Sequence, residues 1–340
     1  MDTILITGGA GFIGSYLCQE FLEHDYRVRI VDNFSKYGKI HRAYFRHQNF
    51  ELIEGDCLDP SVINLACKNV SYVIANAAMI GGISYFHKHA YDLLATNERI
   101  LANTFDSCIS HFESGPLRRI IVMSSSMVFE SATNFPSFES DVREIPPPES
   151  TYGFQKLSCE YFAKGAFDQY GLPFTIARPF NCVGIGEGRS LSTDEHTSGD
   201  IKLAMSHVLP DLAQKSVRGQ NPLRILGSGN QIRCYTHGAD IARALRLIVE
   251  SEAATNETFN ISTSRATSVL ELAEMVWKEV NPSAPFKYAS DEPFPYDVQR
   301  RVPDVSKAKN ILNFESEISL ESAVKEVVVW VKKAVKSGEI

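Results

Sequence analysis

The stretch Thr3 to Gly14, TILITGGAGFIG, constrains the fold more than any other part of the chain. Five residues rich in β-branched side chains read as a strand, glycines follow at 8, 11 and 14, and FIGSYLCQEFLEH then has helical spacing. A strand that turns through glycines into a helix commits the chain to strand–helix–strand crossovers and parallel pairing. The first half keeps this rhythm. RVRIVD (27–32), FELIEGD (50–56), SYVIANAA (71–78), RRIIVMSS (118–125) and PFTIARPF (173–180) read as strands. Helical spacing recurs over 60–69, about 90–112 and about 152–170. The expected fold is α/β, a doubly wound parallel sheet with helices on both faces.

The glycine spacing also carries chemistry. Without Cβ atoms, the loop backbone approaches a pyrophosphate at the positive end of the first helix. Asp32 ends the second strand, where a carboxylate accepts hydrogen bonds from a ribose 2′-hydroxyl and repels a 2′-phosphate. Together these features predict a Rossmann-type dinucleotide site that takes NAD over NADP. Asp56, at the end of the third strand, either reaches the adenine or ends the strand as a turn residue. Lys36, Lys39 and Arg42 read as a solvated loop.

After Phe180 the rhythm breaks. Residues 183–200 are rich in Gly, Ser, Thr and Asp and read as a loop. A helix is expected over 201–217, then strands at LRIL and QIRCYT, the helix ADIARALRLIVE, and a strand TFNIS that returns to the main sheet. The expected plan is a nucleotide-binding domain, residues 1–180 with 237–263 returning to it. Residues 181–236 and 264–340 form a smaller α/β lobe for the substrate.

The formal charge of −7 argues against nucleic acid as a main partner. The seven cysteines are scattered without C-x-x-C spacing, as expected of reduced, buried thiols in a cytoplasmic protein. His87 and His89 lack further ligands at metal spacing, so no metal is expected. The N-terminus lacks the pattern of a signal peptide, and no apolar run has the length of a membrane span.

STYGFQK places Tyr152 and Lys156 four residues apart, on one face of a helix. A tyrosine pKa of about 10 is too high for a base at neutral pH; a nearby ammonium favours the phenolate.

With TGGAGFIG, NAA (76–78), SSS (124–126), YGFQK and RPFN (178–181) in this order, the chain resembles the extended short-chain dehydrogenase/reductases that act on nucleotide sugars. The resemblance implies that Tyr152 is the acid/base and that Lys156 binds the nicotinamide ribose. Family members carry a tyrosine where Phe129 stands, and the catalytic hydroxyl lies four residues earlier, which is Ser125. The same resemblance implies cofactor contacts from Gly8, Gly11, Phe12, Ile13, Gly14, Asp32, Asn33, Asp56, Cys57, Ala77 and Asn97. It implies substrate contacts from Gly82, Ser126, Asn181, Arg233 and Arg301, the last two on phosphate. Tyr85 is placed near the sugar by loop position alone.

In the dehydratases of this family an Asp and a Glu follow the catalytic hydroxyl; here they are Ser126 and Met127. Decarboxylases usually carry Glu at the second position, and GDP-mannose 3,5-epimerase a cysteine. Methionine does neither task. The resemblance therefore implies hydride chemistry alone, C4 epimerisation of a UDP-sugar, with a GDP-sugar also open. The alternatives are dehydratase, decarboxylase, 3,5-epimerase or 4-keto reductase, and outside catalysis an NAD-binding sensor or scaffold. Family counterparts pair as homodimers through the helices near 90–112 and 152–170. Leu93, Leu94, Ile100, Leu101 and Phe105 supply an apolar stripe for that pairing or for the chain's own core.

Overall fold

The computed structural model describes residues 1–81, 88–187, 196–198, 201–203, 207–293 and 298–340. Gly82, Tyr85 and His87 lie outside the described residues. Seven strands form one sheet: β1 (Thr3–Thr7), β2 (Arg27–Asp32), β3 (Phe50–Glu54), β4 (Tyr72–Ala75), β5 (Arg119–Met123), β6 (Phe174–Pro179) and β7 (Glu257–Ile261). Their order is β7-β6-β5-β4-β1-β2-β3, and every pairing is parallel. The order reverses between β1 and β4. In open sheets of this kind the crevice beyond the strand ends at that reversal receives the ligand.

β1 shows why the strands read as unbroken apolar runs. Ile4 and Ile6 enter a core with Leu17, Phe21, Ile30 and the helix residues Ile241 and Leu245. Leu5 enters the opposite core with Val31, Val73, Ile120 and Leu101. Alternate side chains point to opposite faces, and helices cover both. Each fully buried Leu or Ile contributes about 1.5–3 kcal/mol.

Helices α1 (Phe12–Glu23), α2 (Pro60–Ala66), α3 (Ala90–Ser114) and α4 (Thr151–Tyr170) follow the strands as expected. The TFNIS segment does return to the sheet, as β7 beside β6. A third core lies between α5 (Val208–Val217), α7 (Val269–Val280) and α9 (Leu320–Ser337), with α6 (Gly238–Glu250) and α8 (Ser306–Leu312) packed on the main sheet's first core. Among the described residues no helix is long and apolar enough to cross a membrane.

Two expectations differ from the structure. The helix expected over 201–217 starts only at Val208; Ile201–Leu203 is a short strand paired with His196–Ser198. Pro210 explains this. It fits the first turn, where its missing N–H has no partner, but inside a longer helix it would lose a bond and clash with the preceding turn. QIRCYT is two separate pairings: Ile232–Arg233 joins Thr267–Ser268, and Thr236–His237 joins Cys182–Val183.

Candidate active site

The glycine loop closes tightly over the sheet. A Cβ on Gly14 would lie 2.4 Å from the Gly8 carbonyl oxygen and 2.7 Å from Gly9 Cα. Gly8 has φ +66°, and a Cβ there would sit 2.9 Å from Ala77 Cα, across the crevice from β4. The loop leaves α1's first amides facing the crevice, with Gly11 as N-cap and no side chain capping it. Phe12 is buried at the start of α1, and Ile13 packs on the first core.

Asp32 is half-buried. Its Oδ2 accepts from Ala10 N at 2.9 Å and its Oδ1 from Phe34 N at 2.8 Å. Burial raises its pKa above the usual range, and those two amides oppose the rise. Asn33 Nδ2 donates to Asp56 Oδ2 at 2.9 Å, tying the ends of β2 and β3 together. Asp56 Oδ1 also accepts from Leu58 N at 2.8 Å, so the turn role weighed for it is real. Cys57 beside it is buried, its thiol pushed up to about 12 by burial. Asn97 on α3 braces the loop after β4: its Oδ1 accepts from Met79 N at 2.6 Å and its Nδ2 donates to Met79 O at 3.0 Å. A loop free of side chains facing a carboxylate at the end of β2 fits a dinucleotide.

Lys36 and Arg42, expected in a solvated loop, are half-buried. Burial lowers the Lys36 pKa against the opposing charge of Glu187, and Arg42 Nη2 donates to Gly186 O at 3.3 Å.

The three serines divide their work. Ser124 is buried and turned away from the crevice: its Oγ donates to Glu160 Oε1 at 2.7 Å and to Lys156 O at 3.2 Å. Ser125 is half-buried and caps the 3-10 turn Ser126–Phe129, accepting from Met127 N at 3.2 Å. Ser126 is buried, and its Oγ accepts from Arg301 Nη1 at 3.2 Å.

Tyr152 and Lys156 occupy the first two turns of α4, both buried. Lys156 Nζ donates to Met123 O at 3.0 Å, at the end of β5, and lies 6.0 Å from the Tyr152 ring centroid. Gly153 permits this closeness. A Cβ there would meet Pro148 at 2.6 Å, Glu130 Oε2 at 2.7 Å and Met127 O at 3.0 Å. Helix α4 and the serine turn therefore touch backbone to backbone.

Sequence reasoning missed two supports of this junction. Glu130 Oε2 accepts from Ser150 N at 3.1 Å and Ser150 Oγ at 2.7 Å, and Ser150 in turn caps α4. Below the turn, Arg178 Nε and Nη2 each donate to Glu160 at 2.8 Å, a fork on a fully buried carboxylate. The Arg178 guanidinium also lies 5.1 Å from the Phe129 ring centroid. The charged pair i, i+4 from Lys156 and the arginine inside a strand were visible signals. Neither reveals its partner without the fold.

On the lobe side, Asn181 adopts φ +30° just after β6, and its Nδ2 donates to Cys234 O at 3.4 Å. Arg233 is buried, one Nη1 donating to Ile232 O at 2.9 Å. All seven cysteines are free thiols. Leu93, Leu101 and Phe105 are buried in the chain's own core, so the α3 stripe mostly serves the monomer. The large side chains that α3 and α4 leave exposed, beside charged and polar ones, include the aromatics Tyr91, Phe154 and Tyr161.

A glycine loop at a sheet's reversal point, an acidic residue ending β2, and a Tyr–Lys helix against a serine turn define a dinucleotide-dependent oxidoreductase-type site. The profile of the NAD dependent epimerase/dehydratase family matches residues 4–262, and the chain belongs to that family. Its cofactor is NAD. A UDP-N-acetyl-α-D-glucosaminuronate decarboxylase of Bacillus cytotoxicus is 27% identical over 97% of both chains. A dTDP-4-dehydro-6-deoxy-D-allose reductase of a Streptomyces species is 25% identical over 96% of this chain and 95% of its own. The solved UDP-glucose 4-epimerase of Thermotoga maritima, bound to UDP-glucose, superposes with a TM-score of 0.79 at 27% identity, covering 98% of this chain and 99% of its own. The relatives are thus nucleotide-sugar enzymes of differing reaction.

Proposed function

We propose that the chain is a UDP-sugar 4-epimerase. The observation that carries this reading is the pair Ser126 and Met127 beside Ser125. Ser126 is buried under Arg301, and Met127 is a thioether; neither is an acid or base for proton chemistry at carbon.

In this reading Tyr152 takes the proton from the sugar 4-hydroxyl as its carbon is oxidised. Lys156, one helical turn on, favours the phenolate and holds the nicotinamide ribose. Ser125 hydrogen-bonds the 4-oxygen and fixes which hydroxyl meets Tyr152. Bound NAD supplies reversible acceptance of the C4 hydrogen. Gly8, Gly11 and Gly14 bring α1 to its pyrophosphate, and Asp32 holds the adenosine ribose. Phe12, Ile13, Asn33, Asp56, Cys57, Ala77 and Asn97 complete that crevice. Asn181 and Arg233 face the substrate diphosphate, where Arg233's planar fork matches the phosphate oxygens. The 4-keto sugar turns over in the site and is reduced on its other face, with Tyr152 returning the proton.

Two copies pair through α3 and α4 in this reading, covering Tyr91, Phe154 and Tyr161. The decarboxylase relative favours a second reading, loss of carbon dioxide from a 4-keto uronate. A panel of UDP- and GDP-sugars followed by chromatography and mass separates them. The 4-epimer of one UDP-sugar at unchanged mass supports the proposal, and Tyr152→Phe should abolish its formation. A product lighter by water or carbon dioxide overturns it.

A further inference from the structure

Helix α3 carries a carboxylate into the seam it shares with α4. Phe105 and Phe162 mark that seam, their rings stacked with centroids 5.9 Å apart. Glu98 lies two turns before Phe105 on the same face of α3, with Leu101 between them. The facing side of α4 holds Gln155, Ser158, Cys159 and Phe162, spaced i, i+3, i+4 and i+7. The two faces meet where Ser158 Oγ donates to Glu98 Oε2 at 3.1 Å.

The seam is short of donors. Among the described residues, Glu98 Oε1 and Gln155 Oε1 are buried oxygens with no hydrogen-bond partner, and Gln155 is 3% exposed. A carboxylate oxygen in that position depends on a nearby positive charge. Lys156, next to Gln155, supplies it. Burial raises the Glu98 pKa, while the Ser158 hydroxyl and the Lys156 ammonium hold it down. The buried Cys159 thiol feels both charges, Lys156 favouring its thiolate and Glu98 opposing it. The neighbouring carboxylates are engaged elsewhere: Glu160 by Arg178 and Ser124, and Glu130 by Ser150. An ammonium has three N–H donors, and Met123 O takes one of those on Lys156 at 3.0 Å.

We infer that Glu98 is a positioning residue for the Tyr152–Lys156 pair, holding the Lys156 ammonium from the α3 side and thereby tuning the readiness of Tyr152 to release its proton. The inference rests on the reading of Tyr152 as the acid/base. A carboxylate near both groups favours the ammonium and opposes the phenolate. Ionised Glu98 therefore secures the charge on Lys156 and moderates its pull on Tyr152. As pH falls and Glu98 takes up a proton, that moderation ends. The phenolate is then favoured at the acid side, where it would otherwise be lost.

The test reads Lys156 in NAD-loaded protein carrying isotope-labelled lysine, its resonance identified by its loss in Lys156→Arg. Glu98→Gln keeps the shape and removes the charge. The Lys156 titration midpoint should move to lower pH by about 0.5 unit, and the acid limb of 4-epimer formation against pH should move the same way. Glu98→Asp, which restores the charge on a shorter side chain, should recover part of both shifts. Ser158→Ala is an independent arm should Glu98→Gln unfold: without the hydroxyl donor Glu98 holds its charge less well, and Lys156 should shift in the same direction by less. An unmoved Lys156 titration, or a shift to higher pH, overturns the inference. So does a loss of turnover that is equal at every pH, the mark of a seam that only supports the fold. A Lys156 shift in a protein that forms no 4-epimer supports the hold on Lys156 and overturns the 4-epimerase reading instead.

Discussion

Arg178→Met removes the guanidinium from a buried pair and leaves Glu160 behind. Both Arg178–Glu160 bonds are 2.8 Å long, and the two side chains are 3% and 0% exposed. Only Ser124 Oγ, at 2.7 Å, remains as a described donor to the carboxylate. Staying ionised without its partner costs about 3–5 kcal/mol. Taking up a proton instead costs about 1.36 kcal/mol for each pH unit above an ordinary glutamate pKa of about 4.3, hence about 3.7 kcal/mol at pH 7 and about 1 kcal/mol at pH 5. The cheaper route caps the loss, so the penalty should shrink as pH falls. The sign agrees with linkage: in the variant the folded-state pKa of the stranded carboxyl exceeds its unfolded value. The native state then binds the extra proton as pH falls through that raised value, and stability relative to the parent recovers. Urea unfolding of both proteins at about pH 7 and about pH 5 measures this; the expected loss is about 3–4 kcal/mol at the first and about 1–2 at the second. The double variant Glu160→Leu, Arg178→Met should be more stable than Arg178→Met alone at the higher pH, because no charge is stranded. A loss independent of pH, or a double variant no better than the single, would refute the reasoning.

Gly14→Ala should abolish NAD binding, since its Cβ meets the Gly8 oxygen at 2.4 Å and the loop backbone must shift; retained NAD absorbance in the purified variant counts against it. Asp32→Ala should narrow the preference for NAD over NADP by removing the charge that faces a 2′-phosphate; titration with both dinucleotides decides, and an unchanged ratio contradicts that role. Tyr161→Arg should turn dimer into monomer in light scattering at micromolar concentration, since Tyr161 is 66% exposed on α4; a parent protein that is already monomeric refutes the pairing.

The local features were legible in sequence because local rules produce them. The glycine loop, Asp32 at the end of β2 and the i, i+4 pair Tyr152 and Lys156 each follow from one strand or one helix. The start of α5 at Val208 was also a local matter, written in Pro210, which the helical spacing around it masked. Contacts made by folding were not legible. Glu160 and Arg178 are 18 positions apart on α4 and β6, and only the sheet brings them together. Arg301 and Ser126 are 175 positions apart, and nothing local in either stretch of sequence announces that folding brings them within hydrogen-bond distance. Lys36 and Arg42 read as solvent-facing cations, but both are half-buried, Arg42 on the Gly186 carbonyl 144 positions away, a contact that only the fold makes. The apolar stripe of α3 had two possible uses, and the chain's own core takes most of it.

Turnover in heavy water tests the central claim most directly. A UDP-sugar is incubated with the NAD-loaded protein until substrate and 4-epimer reach equilibrium, and both are examined by mass and proton spectra. If Tyr152 moves only the hydroxyl proton and the C4 hydrogen returns to its own carbon, the product keeps the substrate's mass and gains no carbon-bound deuterium. Deuterium at C3 or C5, or a product that has lost water or carbon dioxide, would mean that a group beside Ser125 performs proton chemistry at carbon and that Ser126 and Met127 do not exclude it.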